Sequence, residues 1–331
     1  MKLLFSDSDF SADFKKYVSY ADADFEFTAL RPDLRNATRD MISVVGKEVY
    51  DAVYSLYNAV DSPDDALEAV ELFRYAIAVN AYRYYVPNND LAHTGDGRKM
   101  RNDDHEKSAF QWQIDADNEA QERRYYKALD SVIDYLEAIP EDDDASPEIE
   151  ALSDLWQDSE NRKALRSLFV NDVSTFDRYF VINSRLLLIK LTPGLKLFER
   201  RELKPRLSAS VWTELKQLSE DNIEPEDDKL AKALELIHEA SVNYALDWGI
   251  PKMSINLFPT GILQQYISDR ASTTARKTPM LNESEWARQS FEKTWRATLI
   301  ELENLYAPEQ AASCPSDVNP PFNTGQKFFS T

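Results

Sequence analysis

The chain reads as a mainly α protein: two tandem, diverged helical-bundle repeats with long helices, followed by an extended C-terminal arm. Three observations carry that reading. Only 7 of 331 residues are glycine, whereas doubly wound nucleotide folds and β-rich folds use glycine freely at phosphate loops and turns. Apolar residues recur at three- and four-residue spacing over long stretches bounded by proline, serine and aspartate. The two halves also match each other in order. Leu30-Arg-Pro-Asp-Leu34 reads against Leu203-Lys-Pro-Arg-Leu207, and Phe14-Lys-Lys-Tyr17 against Phe176-Asp-Arg-Tyr179. Glu71, Leu72, Ala76, Ala81, Pro87 and Gly97 read against Glu235, Leu236, Ala240, Ala245, Pro251 and Gly261 at one constant offset. A duplicated chain builds two copies of one packing unit.

Residues 1–140 are read as the first repeat. Phe10, Phe14, Tyr17 and Val18 predict a short opening helix. Pro32 sits where a first-turn proline costs nothing, and Leu34, Thr38, Met41, Val45, Val49, Val53 and Leu56 predict one long helix from there to Asn58. Ser62-Pro63 restarts the period, and Leu67, Val70, Phe73 or Arg74, Ile77 and Ala81 carry it until Pro87 stops it. A polar connection follows over 87–103. Asp103 and Glu106 have capping-box spacing ahead of a helix to Ile139 with Ala109, Trp112, Ala116, Ala120, Tyr126, Leu129, Ile133 and Leu136 on its apolar face.

Residues 141–168 are read as an acidic linker, Glu141 to Asp144, and a linking helix with Leu152, Leu155, Trp156 and Leu165. The second repeat, 169–306, opens near Val173 with Phe176, Tyr179 and Phe180. Leu186 to Leu191 fits helix or buried strand, since periodicity cannot separate them over so few residues. Thr192-Pro193-Gly194 reads as a turn. Pro205 then opens a helix with Leu207, Val211, Leu215 and Leu218, and Leu230 to Trp248 forms the counterpart of the helix ending at Pro87. The connection that is polar in the first half is apolar here: Ile255, Leu257, Phe258, Ile262 and Leu263. A final helix, capped at Asn282 with Glu285, carries Trp286, Phe291, Trp295, Leu299, Leu302 and Leu305 to Tyr306. Residues 307–331 have no helical period. This proline-bearing arm, ending in Lys327-Phe328-Phe329, suits an extended segment laid on a neighbouring subunit.

The net charge of −20 argues against a protein that grips nucleic acid, because phosphate binding needs lysine and arginine to release counterions. It leaves room for DNA sliding past an acidic wall. The single cysteine, Cys314, excludes an intramolecular disulfide. With no signal-peptide pattern and no run long enough to span a bilayer, the expectation is an intracellular, soluble product without a membrane partner.

No motif announces chemistry. The three histidines, His93, His105 and His238, have no metal-ligand spacing to one another. His238 reads as a surface residue beside Glu235 and Glu239. Its Glu-x-x-His spacing is undone in the other half, where the matching site is Glu71 to Arg74. Gly95 to Arg98, with Lys99 and Arg101, lacks the ending of a phosphate loop and reads as a basic loop for an acidic partner. No nucleophile motif is present, so no catalytic residue, cofactor or metal is expected. Distant carboxylates could still be brought together, which leaves a helical enzyme open. The partner-contact candidates are Arg98, Lys99, Arg101, Phe258, Lys327, Phe328 and Phe329.

The stretch Glu106 to Gln113 after Thr94 to Arg98, the Phe27 to Tyr50 region and the final Lys327-Phe328-Phe329 resemble an uncharacterised family of Bacteroidetes genomes, phages and prophages. The opening pattern of each half is similar to the small helical head-to-tail connector proteins of tailed phages. That resemblance implies a structural virion protein and not an enzyme: an adaptor in the neck, assembled in the host cytoplasm. It would form a homo-oligomeric ring of about twelve copies between the portal protein and tail or other neck proteins, with genomic DNA passing through the lumen. A head- or tail-completion protein and a cytosolic helical enzyme are the rival expectations.

Overall fold

In the computed structural model the structure describes residues 1–21, 24–59, 63–89, 91–94, 97–100, 110–139, 145–220, 223, 225, 227–252, 265–269, 273–277 and 281–311. Helices α1 (Phe10–Lys15), α2 (Phe27–Val45), α3 (Lys47–Tyr57) and α4 (Asp64–Asn89) are followed by strands β1 (Leu91–Thr94) and β2 (Gly97–Met100) and by α5 (Gln111–Ala138). Helices α6 (Pro147–Gln157) and α7 (Glu160–Arg166) come next. The series then repeats: α8 (Val173–Asp177), α9 (Arg185–Phe198), α10 (Ala209–Glu220), α11 (Asp228–Gly249), strands β3 (Gln265–Asp269) and β4 (Thr273–Lys277), and α12 (Leu281–Ala311). The fold is mainly α and built as a tandem repeat. In each half a short helix, a long helix, a second helix, a central helix, a β-hairpin and a closing helix follow in the same order.

The packing repeats with the order. α4 lies against α2 and α5, and α11 lies against α9 and α12. The central helices are small-sided and buried around most of their circumference: Ala69, Ala76, Ala78 and Ala81 in α4, and Ala233, Ala240, Ser241 and Ala245 in α11. Small side chains let neighbouring helices approach closely on several faces. The first core gathers Leu4, Phe5, Phe14, Leu30, Phe73 and Ile77 with Trp156. So α6, expected as part of a linker, packs into the first half. The second half holds two clusters, one around Phe198, Leu215 and Trp295 and one around Phe176, Leu191 and Leu246.

Several expected boundaries move. Residues 186–191 are helical, and α9 runs through Thr192-Pro193-Gly194, which the sequence presents as a turn. Gly194 is needed there because a Cβ would stand 2.8 Å from the Trp248 ring. Pro32 and Pro87 also lie inside helices. Each removes one backbone donor, but both are exposed and the helix continues through them. The long helix expected from Pro32 to Asn58 breaks at Gly46, whose φ of 93° is in the region that favours glycine. In the second half α9 gives way to a π-helical turn, Glu199–Leu203, and a 3₁₀ turn, Lys204–Arg206, so α10 begins at Ala209 and not at Pro205. Neither hairpin was foreseen. β1 and β2 pair antiparallel with Thr94 opposite Gly97, and β3 and β4 with Asp269 opposite Thr273. Gly95-Asp96 between the first pair is a two-residue hairpin signature. The capping pair Asp103 and Glu106 lies outside the described residues, and α5 begins later, with the Gln113 side chain accepting from the Phe110 N–H at 3.0 Å.

One joint between the halves is the start of α9. Asp130 of α5 accepts from Ser184 Oγ (3.1 Å) and from the backbone N–H groups of Arg185 (2.5 Å) and Leu186 (3.1 Å). A carboxylate there meets both orphan N–H groups and the positive end of the helix dipole. Arg185 reaches back to Asp134 and, at 3.1 Å, to Glu137.

Candidate functional site

The ionisable groups drawn into the interior form two nodes at equivalent places. In the first half, α4 presents Arg74, nearly buried, to the opening segment. Its Nε donates to the Leu4 carbonyl (3.1 Å), and its guanidinium pairs with Asp13 of α1 and, at 3.3 Å, with Glu71. The Phe5, Tyr17 and Tyr57 rings surround it, with centroids 4.7, 5.1 and 5.3 Å away. The Tyr17 hydroxyl donates to Glu71 at 2.7 Å. Burial, then that carboxylate, push the Tyr17 hydroxyl far above its ordinary value, so it stays protonated.

In the second half the same position on α11 is His238. Its ring Nε2 is buried without a hydrogen-bond partner. Burial, followed by the nearby Arg178 charge, pushes the imidazole down to about 4, so it is neutral at ordinary pH. His238 is therefore not the surface residue the sequence suggests. Glu235 pairs instead with Lys232 at 2.7 Å. The Tyr179 hydroxyl donates to the Glu235 carbonyl at 3.1 Å, mirroring Tyr17 and Glu71. Beside it, Glu199 accepts from the Phe169 N–H (2.7 Å) and pairs with Lys216 (2.7 Å), which also donates to the Ser167 carbonyl at 2.8 Å. Burial raises Glu199 and lowers Lys216. Both carboxylate oxygens are occupied, so this pair pins the 167–169 turn onto α9 and α10.

These nodes hold each repeat's opening segment on its central helix. Apart from His238 Nε2, which has no partner, their polar atoms bind protein groups, and Glu199 also lines a groove of about 550 Å³. Among the described residues no group of His, Cys, Asp or Glu is arranged to hold a metal ion, and no helix is long and apolar enough to cross a membrane.

Of the partner-contact residues expected from sequence, Arg98 and Lys99 lie on β2, opposite His93 and Ala92 in register. Arg101, Phe258, Lys327, Phe328 and Phe329 lie outside the described residues, as do His105 and Cys314. Sequence reading passed over a different surface feature. Arg31, Arg35 and Arg39 line a groove of about 300 Å³ with Thr28, Pro32 and Asn36 on α2. Lys196, Arg200 and Lys204 line another of about 550 Å³ on α9 and the turns after it, with Trp212 from α10. The available signal was cations spaced four apart on one helix face in an acidic chain.

Two stretches of the chain, residues 43–144 and 203–316, match the family described as "Family of unknown function (DUF6712)". The chain belongs to this family. The first stretch holds α3, α4, the first hairpin and α5; the second holds α10, α11, the second hairpin and α12. The DUF6712 match thus falls on the same elements in both repeats. No curated protein and no solved structure matches the chain.

Proposed function

We propose that this DUF6712 protein is a structural subunit of a tailed-phage virion, an adaptor that joins portal to tail as part of a ring with DNA passing through its lumen. The observation that carries the reading is the use made of the buried ionisable groups. In both repeats they fasten one segment of the chain to another, as a scaffold requires, and Glu199 and Lys216, the most deeply paired, have their hydrogen-bonding capacity taken up by backbone groups. The duplicated helical architecture, the acidic charge and the resemblance of each half's opening to phage connectors support the same reading. The loop bearing Arg98, Lys99 and Arg101 and the arm bearing Lys327, Phe328 and Phe329 are its proposed contacts with neighbours.

The test is a virion preparation from a phage carrying this gene, analysed by mass spectrometry and electron microscopy. The chain should be found in purified particles, in a ring at the head-to-tail junction. Its absence from intact virions would overturn the proposal. In the same system, deletion of residues 312–331 should leave the unfolding of the purified chain unchanged and abolish its incorporation.

A further inference from the structure

The two cationic grooves are the same feature made twice. Adding 165 to Arg31, Arg35 and Arg39 gives Lys196, Arg200 and Lys204. This register, and not the match of Leu30–Leu34 with Leu203–Leu207 read from sequence, carries Leu30, Leu34 and Thr38 onto Leu195, Glu199 and Leu203, all six of them buried. The first stripe lies on α2 and the second runs from α9 through the π-helical and 3₁₀ turns after it, each cation one residue past a buried position. All six cations are exposed, and none forms an ion pair within the described residues. In a chain of net charge −20, local carboxylates are the commonest partner available to a lysine or arginine, yet among the described residues none pairs with these six; Lys204 alone has a charge-related contact, over the Trp212 ring at 5.7 Å.

A complementary face lies on α6, which has no counterpart in the duplication. Glu148, Glu150 and Asp154 are exposed there, and the helix contains no lysine or arginine. Glu150 and Asp154 are four residues apart, as are Arg31 and Arg35. One helical turn thus separates the charges on both sides, and guanidinium groups can receive carboxylates two oxygens at a time.

We propose that the cationic stripes of one copy receive the acidic α6 face of a second copy of this chain. Copies this acidic repel one another at long range, so a stable self-contact has to bring opposite charges together, and these are the faces that do so. A contact between unlike faces is heterologous, and heterologous contacts close into rings when the rotation allows. The inference thus names the subunit contact of the ring reading and rests on its claim of self-assembly.

The experiment is sedimentation velocity on the full chain at about 50 mM and about 500 mM salt. The wild type is compared with R31E/R35E/R39E, with K196E/R200E/K204E and with the two sets combined. The wild type should self-associate at low salt and weaken about tenfold or more at high salt. Each triple variant should weaken the association, the combined variant should lose it, and adding E148R/E150R/D154R to the combined variant should restore it, which a misfolded variant could not do. A chain that stays monomeric at low salt would overturn the inference, as would association indifferent to salt and to reversal. So would a monomer whose stripes instead shift duplex DNA in a gel in a reversal-sensitive way. A salt-sensitive closed dimer would keep the contact and remove the ring, whereas absence from virions would remove the neck reading and leave the contact standing.

Discussion

His238 gives the sharpest test of the interior. Its imidazole has an ordinary value of 6.5 and is pushed down to about 4 in the fold, chiefly by burial. The unfolded chain therefore binds the proton more tightly than the folded one. The stability that the neutral ring preserves is complete above 6.5, falls as the pH drops below that value, and is lost once the pH passes 4. Linkage puts the full effect at about 3 kcal/mol, and the loss between about pH 7.5 and about pH 5 at about 2 kcal/mol. The assay is native-state hydrogen exchange read by mass spectrometry, comparing α11 with α4. α4 serves as an internal control, because Arg74 stands where His238 stands. His238→Phe keeps a ring in place and removes the unsatisfied Nε2 together with a hydrogen bond to the Phe169 backbone, so protection at neutral pH should fall by about 1 kcal/mol at most. The extra acid lability of α11 over α4 should disappear in that variant. If α11 in His238→Phe loses protection on acidification as fast as in the wild type, or if the wild-type helix shows no such loss, the buried-neutral assignment is wrong.

Three further perturbations separate the other structural claims. Arg74→Met should cost about 3–5 kcal/mol, because it leaves Asp13 and Glu71 facing each other without their cation. Denaturant unfolding should show the loss in the first repeat and not in the second. Trp295→Ala should cost about 3–5 kcal/mol as a buried large-to-small change, whereas Trp112→Ala, at a residue 42% exposed, should stay within about 0.5 kcal/mol; thermal melts of the pair check both. Gly46→Ala should cost about 1–3 kcal/mol from backbone strain alone. The new Cβ would meet only Ser159 Cβ at 3.8 Å, so a larger drop in melting temperature would point to a clash the structure does not contain.

The repeat was legible because it rests on order and spacing, which survive divergence. The match of Phe14-Lys-Lys-Tyr17 with Phe176-Asp-Arg-Tyr179 put two buried phenylalanines and two node tyrosines at equivalent places, and the structure uses them so. Proline misled in four places, at Pro32, Pro87, Pro193 and Pro205. Local propensity marks proline as a helix boundary, and tertiary packing overrides it where flanking helices hold the segment in place. Arg74, offered beside Phe73 on the stripe, is buried with it, whereas His238 was misjudged as a surface residue. Periodicity marks which face is covered but not that a charged or polar side chain will be accepted there, which depends on Asp13 and Leu4 arriving from elsewhere in the chain. The Trp112 and Trp286 assignments failed because a stripe was extended to the start of α5 and α12. There the helices outrun their neighbours and the tryptophans are exposed. The cation stripes were present in the sequence as four-residue spacings, but their meaning required the second copy to be aligned on the helix in three dimensions.

The two repeats differ in a way that bears on function. Inside, they keep geometry and change chemistry. Arg74 becomes His238, a tyrosine-to-carboxylate bond becomes a tyrosine-to-carbonyl bond, and Leu34 becomes Glu199 with Lys216 as its partner. Outside, they keep chemistry: three cations of one stripe face the solvent as three cations of the other. A protein that performs a reaction in its interior has to hold its ionisable interior groups fixed in identity, because proton affinity and charge are what act. A protein that works by being touched can exchange any interior solution that preserves shape, and has to hold the charge on the touched surface. The proposed adaptor role calls for the second pattern. It places the demand on the outer faces of α2 and α9, and charge reversal there should cost the molecule its work while leaving its fold unharmed.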